Sequence, residues 1–204
     1  DCSTHTRDQP TGEGVPQKKL RIVRRGEKNK ENTMTTWKND QAHSRLGFVV
    51  RHLTITEITG RFAEFTVTAE IGKDDLSDAK FSMAAQTASV DTDVAARDEH
   101  LRSGDFFEAA VHPVITFESS KVRLEGAGEG KISGLLNIRG VATAVTFSFR
   151  SSEVVTNPMT KKPTRSFKVW GDIKRKDFGV GVNEPAAMVG EIVHVSADAE
   201  CSPA

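Results

Sequence analysis

Six histidines are the side chains of this 204-residue chain best suited to bind a metal or move a proton near neutral pH. His43 and His52 lie on one strand-like stretch at an odd separation, which puts them on opposite faces and argues against a shared site. His100 and His112 flank a short helical segment, with Asp98, Glu99 and Glu108 nearby. Such a set could hold a surface cation, or it could supply caps and turn hydrogen bonds; no recognised ligand spacing is present. The segment DTDVAARDEH, from Asp91, has the opening acids of a calcium loop but lacks its central Gly and closing Glu. Ser89, Ser103 and Ser119 have no implied base, and the chain contains no P-loop, dinucleotide fingerprint, nucleophile elbow or HExxH. On this reading no residue is assigned as catalytic and none as a metal ligand.

The elements that must carry these residues are strands. From Trp37 onward the dominant pattern is period-two alternation, the mark of a strand with one buried face. Residues 43–52 put Leu46, Phe48, Val50 and His52 on one face and Arg45, Gly47, Val49 and Arg51 on the other. Residues 60–71 turn Phe65, Val67, Ala69 and Ile71 inward, and residues 80–90 place Phe81, Met83 and Ala85 together. Five more alternating stretches follow over 114–126, 130–140, 143–155, 166–178 and 190–200, with Ile132 and Ile138, Phe147 and Phe149, or Phe167, Val169 and Ile173 sharing faces. One segment, 90–109, breaks the alternation. Asp91 or Thr92 can cap a helix there, Ala95 and Ala96 favour it, and Gly104 can end it. Eight strands without a β-α-β rhythm predict an all-β antiparallel barrel or sandwich, and closure into a barrel removes exposed edges. The inward set is apolar while Arg45, Arg51, Glu64, Glu70, Lys168 and Asp172 face out, so water surrounds the barrel and any ligand inside is apolar.

Composition fits a globular protein with a core: 37% hydrophobic, 27% charged, 11 Phe, 2 Trp and no Tyr. Net charge is zero, yet residues 1–33 carry 8 basic against 5 acidic side chains, leaving 20 against 23 for residues 34–204. The first segment is expected to be a disordered basic extension or a leader; its lysines and arginines could touch phosphates or an anionic surface. The mildly acidic body, lacking an RNP-like aromatic signature, argues against nucleic acid as a partner. Cys2 and Cys201 could form a terminal bridge but define no disulfide framework. No stretch has the length of a transmembrane segment. No signal-type apolar region is visible, so a cytoplasmic location is expected, or a periplasmic or secreted one if a signal has been removed.

Ordered motifs carry a resemblance beyond the pattern. WKNDQAHSRLGFVVRHL is followed by GRF, then by ASVDTDVAARDEHLRSGDFFEAAVHPVITFES, GLLNIRG and IKRKDFGVG. Together they resemble the YceI-like family, lipocalin-like polyisoprenoid-binding proteins, from about Trp37 to about Ala199. The resemblance implies an extended eight-stranded antiparallel lipocalin-like barrel with one short helix in a long connection, and a homodimer. It implies non-enzymatic binding, transport or sequestration of a long-chain apolar lipid: a polyisoprenoid, an isoprenoid quinone, or a fatty-acid-derived chain. No cofactor is required. An alternative is a stress-related enzyme or redox helper acting on a bound quinone or lipid amide, motivated by His52 and His100.

Inward parity then gives the ligand-binding candidates Leu46, Phe48, Val50, Phe65, Val67, Phe81, Met83, Phe117, Leu136, Ile138, Phe147, Phe149, Phe167 and Val169. His100, Phe106 and Phe107 are candidates for a gate, and His52 for a headgroup contact. The same residues could equally be dry core. Asp91, Thr92, Asp98 and His100 are expected to brace the helix. A chain of ~20 carbons would gain ~16 kcal/mol gross on burial at ~0.8 kcal/mol per methylene. At about 0.3 kcal/mol per heavy atom net, micromolar affinity is the expectation.

Overall fold

The structure, a computed structural model, describes residues 34–204. The expectations for residues 1–33, and a bridge involving Cys2, lie outside the described residues. Twelve strands and one α-helix follow in chain order: β1 (Thr35–Asn39), β2 (Arg45–His52), β3 (Thr56–Phe62), β4 (Phe65–Ile71), β5 (Lys80–Gln86), β6 (Val90–Asp91), α1 (Ala95–Arg102), β7 (Val114–Gly126), β8 (Glu129–Ile138), β9 (Val141–Ser151), β10 (Val155–Thr156), β11 (Pro163–Lys174) and β12 (Val189–Pro203).

Pairing closes these into an antiparallel barrel of eight staves. β7, β8 and β9 pair in sequence, β9 pairs with β11, and β11 pairs with β12 from Arg165↔Cys201 to Lys174↔Ile192. The far edge of β12 is shared by β2 and β1, which together form one interrupted stave. β3 and β4 form the next in the same way, and β5 joins β4 to β7. The eight-stranded barrel expected from alternation is therefore present, with two staves broken where the alternation slips. The first break is a 3₁₀ turn over Gln41–His43, capped by Asp40, whose Oδ1 accepts from the Ala42 N–H at 2.9 Å. The second is at Ala63 and Glu64, whose backbone groups bond Ser89 and Gln86.

The helix starts later than its sequence suggests. Its N-cap is Val94, with no side-chain bond, so neither Asp91 nor Thr92 caps it. Asp91 is taken up by Arg61 (2.7 Å) and by the Asp93 N–H (3.0 Å), and these bonds hold its carboxyl below the ordinary range, the backbone bond most. Thr92 instead meets Asp98 from the first turn: Asp98 Oδ1 accepts from the Thr92 N–H at 2.8 Å and its hydroxyl at 2.5 Å. A carboxylate in that turn also suits the helix dipole. The helix ends at Ser103, whose N–H and hydroxyl both donate to the His100 carbonyl, one residue before Gly104. The expected brace thus forms through Thr92 and Asp98, while His100 bonds Asp105 at 3.3 Å.

The connections divide the barrel into two ends. The β2–β3 hairpin, the segment after α1, the β8–β9 turn and the β11–β12 loop lie at one, here the helix end. The β4–β5 loop, the β7–β8 turn, β10 and the chain terminus lie at the other.

Candidate functional site

The inward side chains do not fill the barrel evenly. At the end away from the helix, Trp37, Ile71, Leu76, Phe149 and Cys201 are buried in solid packing. Burial pushes the Cys201 thiol up to about 12, as expected of a sulfur held among hydrocarbon. The ring of Phe81 bridges Phe149 and Phe167, with centroids 5.6 and 5.1 Å apart in tilted and edge-on arrangements.

Above that layer lies a cavity of about 200 Å³. Phe81 and Phe167 form its floor, and Leu46, Phe48, Val50, Val67, Met83, Phe117, Leu136, Ile138, Phe147 and Val169 stand in its wall. Phe106 and Phe107 also line it, from the segment after α1. These are all but four of the residues expected from parity and motif. Of the four, Phe65 and Phe149 are buried in the core outside the cavity. His52 is half-buried at the end of β2, and exposed His100 stands edge-on to Phe106 at 5.0 Å; neither is in the lining. Nine of the 11 Phe residues line the cavity, which is why hydroxyl-free rings suit this interior.

Parity alone could also have found Val193 and Val195 of β12, and Phe62, Ile132 and Ile173, which line the cavity too. Phe178 and Val180 leave the inward series, and only the IKRKDFGVG motif signals them, whereas Arg175 continues the parity of Phe167, Val169 and Ile173.

Arg175 is the charged residue of the lining, and it is 3% exposed. Its guanidinium meets no carboxylate. Nε donates to the Gly190 carbonyl (3.0 Å), Nη1 to Val180 (3.1 Å) and Gly181, and Nη2 to Glu184 (2.8 Å) and Val189 (2.9 Å). All five donors of the fork are engaged by the β11–β12 loop and the first two residues of β12. Burial pulls its pKa down, opposed by Glu191 and Glu184. This residue fastens the β11–β12 loop over the barrel end and offers no donor to a ligand.

The rest of the cover is tied with similar bonds. Arg139, in the β8–β9 turn, donates to Gly179 O (2.6 Å) and pairs with Glu108 (3.1 Å), and the Gly181 N–H donates to Asp105 O (2.9 Å). His112 lies 3.8 Å from the same Glu108 carboxylate. Among the described residues no group of three or more His, Cys, Asp or Glu side chains is placed to hold a metal ion. Among them, too, no helix is long and apolar enough to cross a membrane. The arrangement offers a hydrocarbon-walled space under a hydrogen-bonded cover.

Known proteins share this architecture. A UPF0312 protein of Staphylococcus aureus is 35% identical over 173 residues, covering 83% of this chain and 98% of the relative. The crystal structure of BcnA from Burkholderia cenocepacia is similar with a TM-score of 0.70 at 24% identity, covering 79% of this chain and 98% of that one. A polyisoprenoid binding domain from Saccharophagus degradans matches in fold at 18% identity and a TM-score of 0.62, covering 84% of this chain and 99% of that one. The YceI-like domain model matches residues 37–201, nearly the whole described barrel, and with these relatives it shows that the chain belongs to the YceI-like family.

Proposed function

We propose that this protein binds one long-chain apolar lipid inside the barrel, a polyisoprenoid or isoprenoid quinone before a fatty-acid-derived chain, and carries or sequesters it without changing it chemically. The observation that carries this reading is the cavity above Phe81 and Phe167, walled by aliphatic and phenyl groups, in which the one charged side chain has every donor occupied. A protein-filled barrel would have no use for such a void, because empty space forfeits contacts.

Size sets how the ligand enters. A dry apolar cavity of about 150 Å³ takes one benzene, so about 200 Å³ admits on the order of eight carbons with the side chains at rest. A longer chain requires rings to turn aside. Phe48, Phe62 and Phe107 are suited to this: they form a tilted and edge-on series, and Phe48 and Phe107 are only partly buried. Selectivity then follows shape and length, since one methylene discriminates weakly. The resemblance of the Saccharophagus degradans domain, described as polyisoprenoid binding, supports the ligand class. The absence of His52 and His100 from the lining weakens the enzyme alternative. A homodimer belongs to this proposal, with analytical ultracentrifugation as its check.

The direct test is solvent extraction of the purified protein followed by mass spectrometry, with native mass spectrometry of added prenyl quinones. A co-purified or stoichiometrically bound prenyl lipid is expected. Protein that is ligand-free and also fails to bind prenyl quinones would overturn the reading.

A further inference from the structure

We propose that the rim made by the β2–β3 hairpin and the β11–β12 loop docks onto the surface of a lipid bilayer. The inference rests on the reading that the cavity takes a lipid, and adds where the lipid is collected. The hairpin turns tightly at His52, with the Ile55 N–H donating to the His52 carbonyl at 3.2 Å. Both central residues, Leu53 and Thr54, are in the left-handed region, with φ of 50° and 62°. Asn and Gly are the residues that accept this turn easily, and a β-branched Thr there is an outlier. A strained turn ending in Ile55, which is 80% exposed, is hard to explain by stability.

The neighbours make a rim of it. The Leu53 N–H donates to the Met188 carbonyl at 3.1 Å, joining hairpin to loop, and Leu53 and Met188 are each close to half exposed. Single exposed apolar residues are ordinary, but a cluster on the tips of adjoining connections is not. The rim also continues into the cavity: Val189 pairs with His52 across the ladder and itself lines the wall, as does Val50. Charges around it are balanced, with Arg51 across from Glu57 and Lys176 paired to Glu191 at 2.9 Å. Exposed apolar tips with balanced charge fit shallow insertion into a bilayer rather than attraction to anionic headgroups.

The test uses the full 204-residue protein and vesicles of phosphatidylcholine alone, since residues 1–33 carry net positive charge that anionic lipid would attract. Wild type is expected to co-float with the vesicles at both low and high salt. Ile55→Ser and the double change Leu53→Asn with Thr54→Gly should each lower the bound fraction at least fivefold. Uptake of a fluorescent prenyl chain from vesicles should slow to match, while affinity for the same chain added in solution is unchanged. The double change should also raise Tm, since it relaxes the turn, so lost docking is not lost folding. Docking is overturned if wild type does not co-float, if the variants co-float equally, or if Ile55→Ser converts a dimer to monomer, which would make the rim a contact between copies. Failure of wild type to take up the soluble chain, with vesicle binding still lost in the variants, would keep the docking and overturn the cavity reading instead.

Discussion

The two halves of this barrel are built from the same alternating strands but held together by different forces. At the end away from the helix, Phe149, Phe167, Leu76 and Cys201 are each almost fully buried, and rings meet tilted or edge-on. At the helix end the middle is open, so packing holds the cover only in part, through buried Phe106, Phe178 and Val180. Arginine forks supply the rest: Arg175 on the β11–β12 loop, Arg139 on Gly179 and Glu108, Arg102 on the carbonyls of Ala88 and Val90, and Arg97 on Thr92. A lipid cavity needs a wall with no free polar group and a lid that does not depend on packing alone. Engaging every donor of Arg175 with backbone carbonyls meets both needs.

The sharpest way to break this comparison is Arg175→Ala. It leaves five carbonyls without their donor near an apolar cavity, and losses of this kind cost about 3–5 kcal/mol. For a barrel of this size, Tm should fall by roughly 10 °C. Arg175→Lys should recover little, having three donors at a point instead of five in a plane. Urea unfolding followed by circular dichroism checks both. A loss below about 1 kcal/mol would mean that the loop is not held by this residue.

Next in size is a pair of truncations. Phe149→Ala removes a ring that is 1% exposed from beneath the floor and should cost about 3–5 kcal/mol. Phe48→Ala removes a half-buried ring beside existing space, so the loss should be nearer 1–2 kcal/mol, and the cavity should accept a longer chain. Equal costs at the two positions would show that the halves are equally packed. A third contrast uses glycines. A Cβ on Gly130 would sit 2.1 Å from the Arg123 carbonyl oxygen, which the ladder holds fixed, whereas one on Gly60 would sit 2.2 Å from the Phe48 ring, which can turn into the void. Gly130→Ala should therefore cost the larger share of the ~1–3 kcal/mol typical of overpacking, and Gly60→Ala less, with weaker lipid binding. Thermal melts and a prenyl-chain titration separate the two.

Much of this could be read in the chain. Period-two alternation recovers the closed strands and their inward faces, and most of the cavity wall with them. It does not distinguish Phe149 from Phe147 two residues away: parity reports which face a side chain is on, and says nothing of the depth at which the void begins. The breaks at Gln41–His43 and at Ala63 were illegible for a related reason, since each adds residues that no periodic template contains. The cover was harder still. Arg175 shares the parity of Phe167, Val169 and Ile173, yet it reads as one basic residue among several in IKRKDF, and the loop that folds back to engage it is not encoded in local pattern.

The smallest expected effect lies on the boundary between the halves. β1 pairs with the terminal residues of β12 in the packed half, β2 pairs with its earlier residues in the hollow half, and the Gln41–His43 turn separates them. Asp40 and His43 bridge that turn at 3.0 Å. Their hydrogen bond raises the His43 pKa above the ordinary 6.5 and lowers that of Asp40 below 3.8. The histidine's contribution is therefore complete below about pH 6.5 and fades as pH rises through its raised value. The carboxylate's contribution is complete above about pH 3.8 and fades as pH falls through its lowered value. Between those limits wild type should exceed His43→Gln in Tm by about a degree or less, both groups being exposed, and the difference should shrink toward pH 8. Hydrogen exchange should show the loss in β1 and β2 near the turn. A His43 NMR titration with its midpoint at or below 6.5 would remove the bridge as a tie between the halves, and leave the break in the stave to the Asp40 cap on Ala42 and the bonds that Asp40 and Ser44 make with Glu200.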